Sequence, residues 1–280
     1  MTSGGTTGVN AFQLLPHAVL RPYIDRIWGW ESAKGHRIAL PTLLPGTGAE
    51  VYFHYRTPFC RSSAQAGMDL LPPAHLVCVR RAPIVLQPSD QVGFVAVRFR
   101  AGMLPRFVRI PMPELMDQAC AVDDLWGRAA RELTERIAGA ATFSGKARLI
   151  QSFLLARLDG GLGDALVEQA VAGIYRECTA LSVERLATYL EIGRRQLERR
   201  FKLATGQTPA EVRRLARFQK TVRSVMLNPG IHYLDAALAH GYYDQAHFIR
   251  DFREMAQSTP QRHFDDARTR THFYNTPWRA

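Results

Sequence analysis

The sequence predicts an α+β protein of two domains: an N-terminal small β-barrel carrying two amphipathic helices, then an all-α domain with a double helix–turn–helix. Three observations predict it. Residues 11–110 hold short runs rich in Val, Ile and aromatics, cut by Pro and Gly. Residues 123–158 change to a helical period. Further on, a basic segment repeats: Leu197, Arg199, Phe201, Thr208 and Pro209 recur as Phe248, Arg250, Phe252, Thr259 and Pro260 at a constant offset of 51. The chain has 280 residues, and at roughly 100–200 residues per domain two domains are the natural expectation.

Residues 1–10 open with Gly, Ser and Thr, which bury too little apolar surface to order, so disorder is expected there. Residues 11–158 are read as the first domain. Strands are expected at Tyr23–Glu31, Ala49–Tyr55, His75–Val79, Ile84–Gln87 and Val92–Phe99, with breaks at Pro41, Pro45-Gly46, Pro72-Pro73, Pro83, Pro88 and Gly102. In the last of these strands Phe94, Ala96 and Arg98 alternate with Val95, Val97 and Phe99, the period of a two-faced strand. Short strands so spaced suit a barrel or sandwich, and a small cupin-like barrel encloses room for one small ligand.

After Pro113 a short helix is expected at 114–118. Asp123–Ala138 places Leu125, Ala129, Leu133 and Ile137 on one face, and Ser144–Leu158 does so with Leu149, Ile150, Phe153, Leu154 and Leu158. These stripes are expected to pack on the barrel. A homodimer seam through helices 123–158 is the competing use. Residues 159–164, DGGLGD, read as the linker.

Residues 165–268 read as the second domain and 269–280 as a tail. Helices are expected over Ala165–Cys178, Ser182–Leu190, Arg194–Thr205, Pro209–Leu227, Tyr233–His240 and Gln245–Ala256, with a last short one from Thr259-Pro260. Ser182 and Asp244 are N-caps, and Thr208 with Glu211 makes a capping box ahead of Pro209. Gly206 and Gly241 are stop residues, and Asn228-Pro229-Gly230 ends the long helix. At about 1.5 Å per residue that helix spans roughly 28 Å.

Lys plus Arg number 36 and Asp plus Glu 25, a net charge of +11. Residues 194–223 alone hold ten Lys or Arg against Glu198 and Glu211. That concentration favours a polyanionic partner. The N-terminus lacks the apolar core of a signal peptide, and no run of eighteen apolar residues suggests a membrane span. Cys60, Cys78, Cys120 and Cys178 form no CxxC pair, which argues against a disulfide framework or zinc spacing and fits the cytoplasm. His36, His54 and His75 are isolated, and GxSxG, P-loop and GxGxxG patterns are missing. Neither an enzyme nor a metal or cofactor is expected.

In a helix–turn–helix the second helix lies in the major groove and its N-terminal part meets base edges. Leu186, Ala187, Leu190, Ile192, Leu197 and Phe201 are the apolar filling of the first unit; Leu234, Ala237, Leu238, Phe248 and Phe252 fill the second. The faces left over are Arg194, Arg195, Glu198 and Arg199, then Gln245, Ala246, Ile249 and Arg250. Arg suits guanine, Gln adenine, and Ala or Ile a thymine methyl. Arg200, Lys202, Arg213, Arg214 and Lys220 are the candidate phosphate contacts, which add affinity without sequence choice.

LATYLEIGRRQLERRFKLATGQTP and the downstream AALAHGYYDQAHFIRDFREMAQSTPQRHF resemble the C-terminal domain of AraC/XylS-type transcriptional regulators, over roughly residues 165–265. Gly241, Asp244-Gln245, His247-Phe248, Phe252 and Thr259-Pro260 carry the signature. The resemblance implies seven helices, with two recognition helices bridged by the helix at 209–227. Base contacts then fall on Arg195, Glu198, Arg199, Gln245, Ala246, Ile249 and Arg250. It implies promoter DNA and RNA polymerase as partners. Gly193 stands where the family usually has Ser, and Tyr242 where it has Phe. Leu44–Gly46, the VYFHY strand and Val95–Gly102 resemble, more weakly, the family's barrel-like sensor domains. On that reading Trp28, Trp30, Tyr52, His54, Phe94 and Arg98 are expected to line a pocket for a small-molecule effector, the arginine pairing with a carboxylate.

Overall fold

The computed structural model describes residues 9–33, 35–63, 67–89, 91–177, 179, 182–228 and 230–269. Of the disorder expected at residues 1–10 and the tail expected at 269–280, residues 1–8 and 270–280, like Cys178 and Pro229, lie outside them, while Val9 and Asn10 belong to a strand and Thr269 to a helix, against those expectations.

The N-terminal half is built on antiparallel strands: β1 (Val9–Leu14), β2 (Ile24–Ser32), β3 (Glu50–His54), β4 (Cys60–Ser63), β5 (Gly67–Leu70), β6 (Ala74–Val77), β7 (Val85–Leu86), β8 (Gly93–Phe99) and β9 (Ala119–Ala121). Six of them form one sheet in the order β1-β2-β8-β3-β6-β9; β5-β4-β7 form a second. The expected small barrel is therefore corrected. Among the described residues β1 and β9 are opposite edges of an open sheet, and β1 is packed by a helix, with Phe12 stacked on Phe143 at 4.8 Å.

The alternation read in β8 decides the layering. Val95, Val97 and Phe99 join Val51, Phe53 and Leu76 in one core; Phe94 and Ala96 join Trp28, Trp30 and Tyr52 in another, beneath Phe59, Leu71 and Leu86. The first core is closed by α1 (Met112–Leu115), α2 (Val122–Trp126), α3 (Arg128–Gly139) and α4 (Phe143–Leu155). The single helix expected at 123–138 is two, because Gly127 takes φ +60° and breaks it. Thr142 caps α4 by accepting from Gly145 N at 3.1 Å. Leu133, Ile137, Ala147, Ile150 and Leu154 are all buried in the sheet's core, so the apolar stripes are used within the chain.

Residues 159–164 lie against the 105–109 segment. Gly161 N donates to Arg106 O (3.2 Å), Leu162 N to Val108 O (3.1 Å), and Arg109 Nε to Gly160 O (2.7 Å). The Arg106 guanidinium bonds Asp159 and grips both oxygens of Glu168.

The C-terminal half has α5 (Ala165–Arg176), α6 (Val183–Tyr189), α7 (Arg194–Thr205), α8 (Pro209–Leu227), α9 (Tyr233–Ala239), α10 (Gln245–Ala256) and α11 (Pro260–Thr269). The helix α8 serves two cores. Val212 and Ala216 pack with α5, α6 and α7, while Leu215, Phe218, Val222 and Val225 pack with α9, α10 and α11. The capping box at Thr208 and Glu211 starts it. The sheet domain docks on this half: Leu44 is buried in the second of these cores, and Gln219 Nε2 donates to Pro45 O at 3.1 Å.

Candidate nucleic-acid interface

In the first unit α6 is capped by Ser182, whose Oγ accepts from Arg185 N at 3.2 Å. Leu186 and Ala187 pack against Leu197 and Phe201 of α7 and fix the angle between the two helices. The turn passes through Glu191 at φ +54°, and Gly193 heads α7 without a side-chain cap. The outer face of α7 carries exposed Arg195, Gln196, Arg199 and Lys202. Arg194 is tied sideways, Nη1 to Glu184 (2.8 Å) and Nε to Glu198 (2.9 Å). It therefore offsets the charge of Glu198, which would otherwise repel a phosphate.

In the second unit the turn uses Gly241 at φ +90°, where a Cβ would sit 2.7 Å from the Thr179 side chain. Asp244 caps α10, accepting from His247 N at 2.7 Å. Phe248 and Phe252 face inward; Gln245, Ala246 and Arg250 are exposed, and Ile249 is half-buried against the core. Leu234 is partly buried, but Leu238 is 52% exposed rather than core filling, because it lies on the outer side of α9 from Ala236 and Ala237.

A buried polar group locks this unit to α8. The Tyr242 hydroxyl donates to Asp251 Oδ2 at 2.7 Å, Arg214 bonds Asp251 and Glu254, and the Arg217 guanidinium lies 4.4 Å over the Tyr242 ring. Burial and the adjacent carboxylate push the Tyr242 phenol well above its ordinary pKa, so it remains a donor.

The expected phosphate contacts divide. Arg214 is held in that network. Arg200 grips Asp164 with two bonds, 2.7 and 2.6 Å, while Asp164 also caps α5. Burial works against the Asp164 carboxylate, yet the Arg200 bonds bring its pKa below the ordinary value. These two arginines tie helices together, a role hidden in sequence because their partners are 36 and 37 residues away. Lys202 is exposed, and Arg213 and Lys220 are half-buried on α8. Gln196 and Arg253 were missed; both are exposed, and the repeat itself pointed to the second, since the offset of 51 carries Lys202 onto Arg253.

The residues expected to line an effector pocket are brought together by the structure. Trp28, Trp30, Tyr52, His54 and Phe94 are buried on one face of the six-stranded sheet, with Trp28 and Phe94 ring centroids 5.2 Å apart and His54 and Phe94 5.8 Å apart. Arg98 continues that face, its guanidinium 3.5 Å from buried Glu50. The guanidinium expected to pair with a ligand's carboxylate faces the Glu50 carboxylate within the chain.

The family described as "Helix-turn-helix domain" matches residues 186–265, and a domain of unknown function (DUF6597) matches residues 12–121. No curated protein matches the chain. Among solved structures, ToxT from Vibrio cholerae is similar at 10% identity over 93% of this chain and 98% of that one, with a TM-score of 0.48. Wild-type ToxT from the same organism, bound to an unsaturated fatty acid, is 12% identical over 94% and 97%, with a TM-score of 0.46. A xylose-binding transcription activator, XylR, is 21% identical over 44% of this chain and 38% of that one, with a TM-score of 0.34. With two capped helix pairs in tandem and the family match lying across both, the chain carries a helix-turn-helix domain at residues 186–265.

Proposed function

We propose that the chain is a sequence-specific transcription regulator that inserts α7 and α10 into successive major-groove segments of promoter DNA. One observation carries the reading. At matching positions of the repeat, Arg199 and Lys202 on α7 and Arg250 and Arg253 on α10 point outward, and their side chains make no ion pair among the described residues. Neighbouring Arg194, Arg200 and Arg214 are all engaged within the domain. Arg195, Arg199, Gln245, Ala246, Ile249 and Arg250 read bases; Lys202, Arg213 and Lys220 meet phosphates. RNA polymerase is the partner such a regulator acts on, and the cytoplasm is where it works; no described helix is long and apolar enough to cross a membrane.

The N-terminal domain adjusts this grip. It contacts α8 through Leu44 and through the Pro45 carbonyl that accepts from Gln219 of α8, and α8 joins the two DNA-facing units. A small-molecule effector acts by binding one domain arrangement better than another, and shifts populations by that difference alone. The test uses a duplex selected from a random pool by the wild-type chain. Arg199→Ala and Arg250→Ala should each cost roughly 1–3 kcal/mol and relax different base positions, while Lys202→Ala weakens all sequences alike and reduces the salt slope. Arg199→Ala and Arg250→Ala proteins that weaken every sequence equally would sink the base-reading assignment.

A further inference from the structure

The offset of 51 exposes an exchange between the two units that charge alone does not reveal. Arg195 in the first unit corresponds to Ala246 in the second. Arg195 is long and exposed; Ala246 is exposed but reaches no further than a methyl group. One turn earlier the relation is reversed. Ile192 is partly buried against the core of its unit, whereas its counterpart Tyr243 is 89% exposed. The bulk withdrawn at 246 reappears at 243.

The backbone presents that tyrosine rigidly. Gly241 N and Tyr242 N are held by Leu238 O and Ala237 O, both at 3.0 Å. Tyr242 is buried on one side of Tyr243, and on the other Asp244 caps α10. Tyr243 N itself faces His247 Nδ1 at 3.5 Å. No core contact explains an aromatic ring at this position, and a ring so exposed is costly in water. Its place, immediately before the N-cap Asp244, sets it at the N-terminal end of α10, next to exposed Gln245 and Ala246.

We infer that Tyr243 is a DNA contact of the second unit, its phenol hydroxyl donating to a phosphate oxygen at the edge of the groove that α10 occupies and its ring lying against the adjoining sugar. The inference rests on the proposed placement of α10 in the major groove. It gives the second unit a backbone anchor that the first lacks at the matching position, and so makes the two halves of the operator unequal in how they are gripped.

The experiment compares Tyr243→Phe, Tyr243→Ala and Arg250→Ala in the full chain, on a duplex selected from a random pool by the wild-type protein. A net hydrogen bond of ordinary strength corresponds to about a three- to tenfold loss of affinity for Tyr243→Phe, and Tyr243→Ala should lose more. The losses should be the same on any sequence carrying the site, and ethylation of one phosphate in the half bound by α10 should reproduce them in the wild type only. Thermal unfolding of both tyrosine variants should match the wild type. Tyr243→Ala binding with wild-type affinity, while Arg250→Ala is weakened, would overturn the inference and leave the groove placement standing. Unchanged affinity in all three would overturn the placement with it.

Discussion

At the scale of single residues, the buried Asp251 shows how a charge is kept inside a helical domain. It is 4% exposed and is served by Tyr242 and Arg214. Removing one donor leaves part of a buried carboxylate unpaired, which costs about 1–3 kcal/mol. Tyr242→Phe should therefore lower stability by that amount in denaturant unfolding; an unchanged midpoint would mean that Arg214 and Arg217 satisfy Asp251 without it. Histidines make the opposite case. Burial lowers the pKa of both His75 and His263 to about 4, with Asp266 only partly countering it at His263. The unfolded chain, with histidines near 6.5, then binds more protons than the folded one between those values. Each histidine's contribution is whole above pH 6.5 and is lost as pH falls toward 4. The unfolding midpoint should drop between pH 7 and 5, and His75→Leu should flatten that dependence; a midpoint independent of pH would refute the burial argument.

At the scale of elements, glycines and caps set the boundaries, and the segment at 159–164 depends on one of them. A Cβ on Gly161 would stand 2.0 Å from Pro105 O and 2.5 Å from Val108 O. Those are backbone atoms and cannot swing aside. Gly161→Ala should lift the segment off 105–108 and break the Gly161–Arg106 bond, with limited proteolysis cutting near 160 faster than in the wild type; equal cutting rates would show that the segment does not need this contact. The same glycine was legible only as a flexible linker residue, because its neighbours are more than fifty positions away. That is the general pattern. The helices from α5 to α10 were readable because caps such as Ser182, Thr208 and Asp244 and the spacing of Leu197 and Phe201 are local signals. The strands β1, β4, β5 and β9 were not. β1 begins inside the stretch expected to be disordered, β4 (CRSS) and β5 (GMDL) carry few β-forming side chains, and β9 is three residues held by a distant partner, Ala121 by His75. The break at Gly127 was hidden by an apolar stripe that continues across it. Among the interface residues, exposure could be inferred from the helical period, but the internal partners of Arg194, Arg200 and Arg214 could not.

At the scale of the whole molecule, the question is whether the sheet domain reports to the DNA-facing helices, and Leu44 is where that can be asked. It leaves the sheet domain, is only 4% exposed, and belongs to the core formed by Leu215, Phe218 and Val222 of α8 with α10. Pro45 next to it accepts from Gln219, and a Cβ on Gly46 would strike that same side chain at 2.4 Å. The loop therefore grips the middle of the helix that packs against both helix–turn–helix units. Leu44→Ala empties that contact, and losing a buried leucine costs about 2–5 kcal/mol. Because Leu44 touches the helical domain only from outside its own chain segment, most of that cost should fall on docking. Calorimetry should resolve two transitions where the wild type melts more cooperatively. If docking biases the arrangement of α7 and α10, DNA affinity should move to that of a fragment spanning 165–280, which lacks the sheet domain altogether. Separation of the transitions with DNA affinity held at the wild-type value would mean the domains touch without coupling, and the N-terminal half would need another route to the helices that bind DNA.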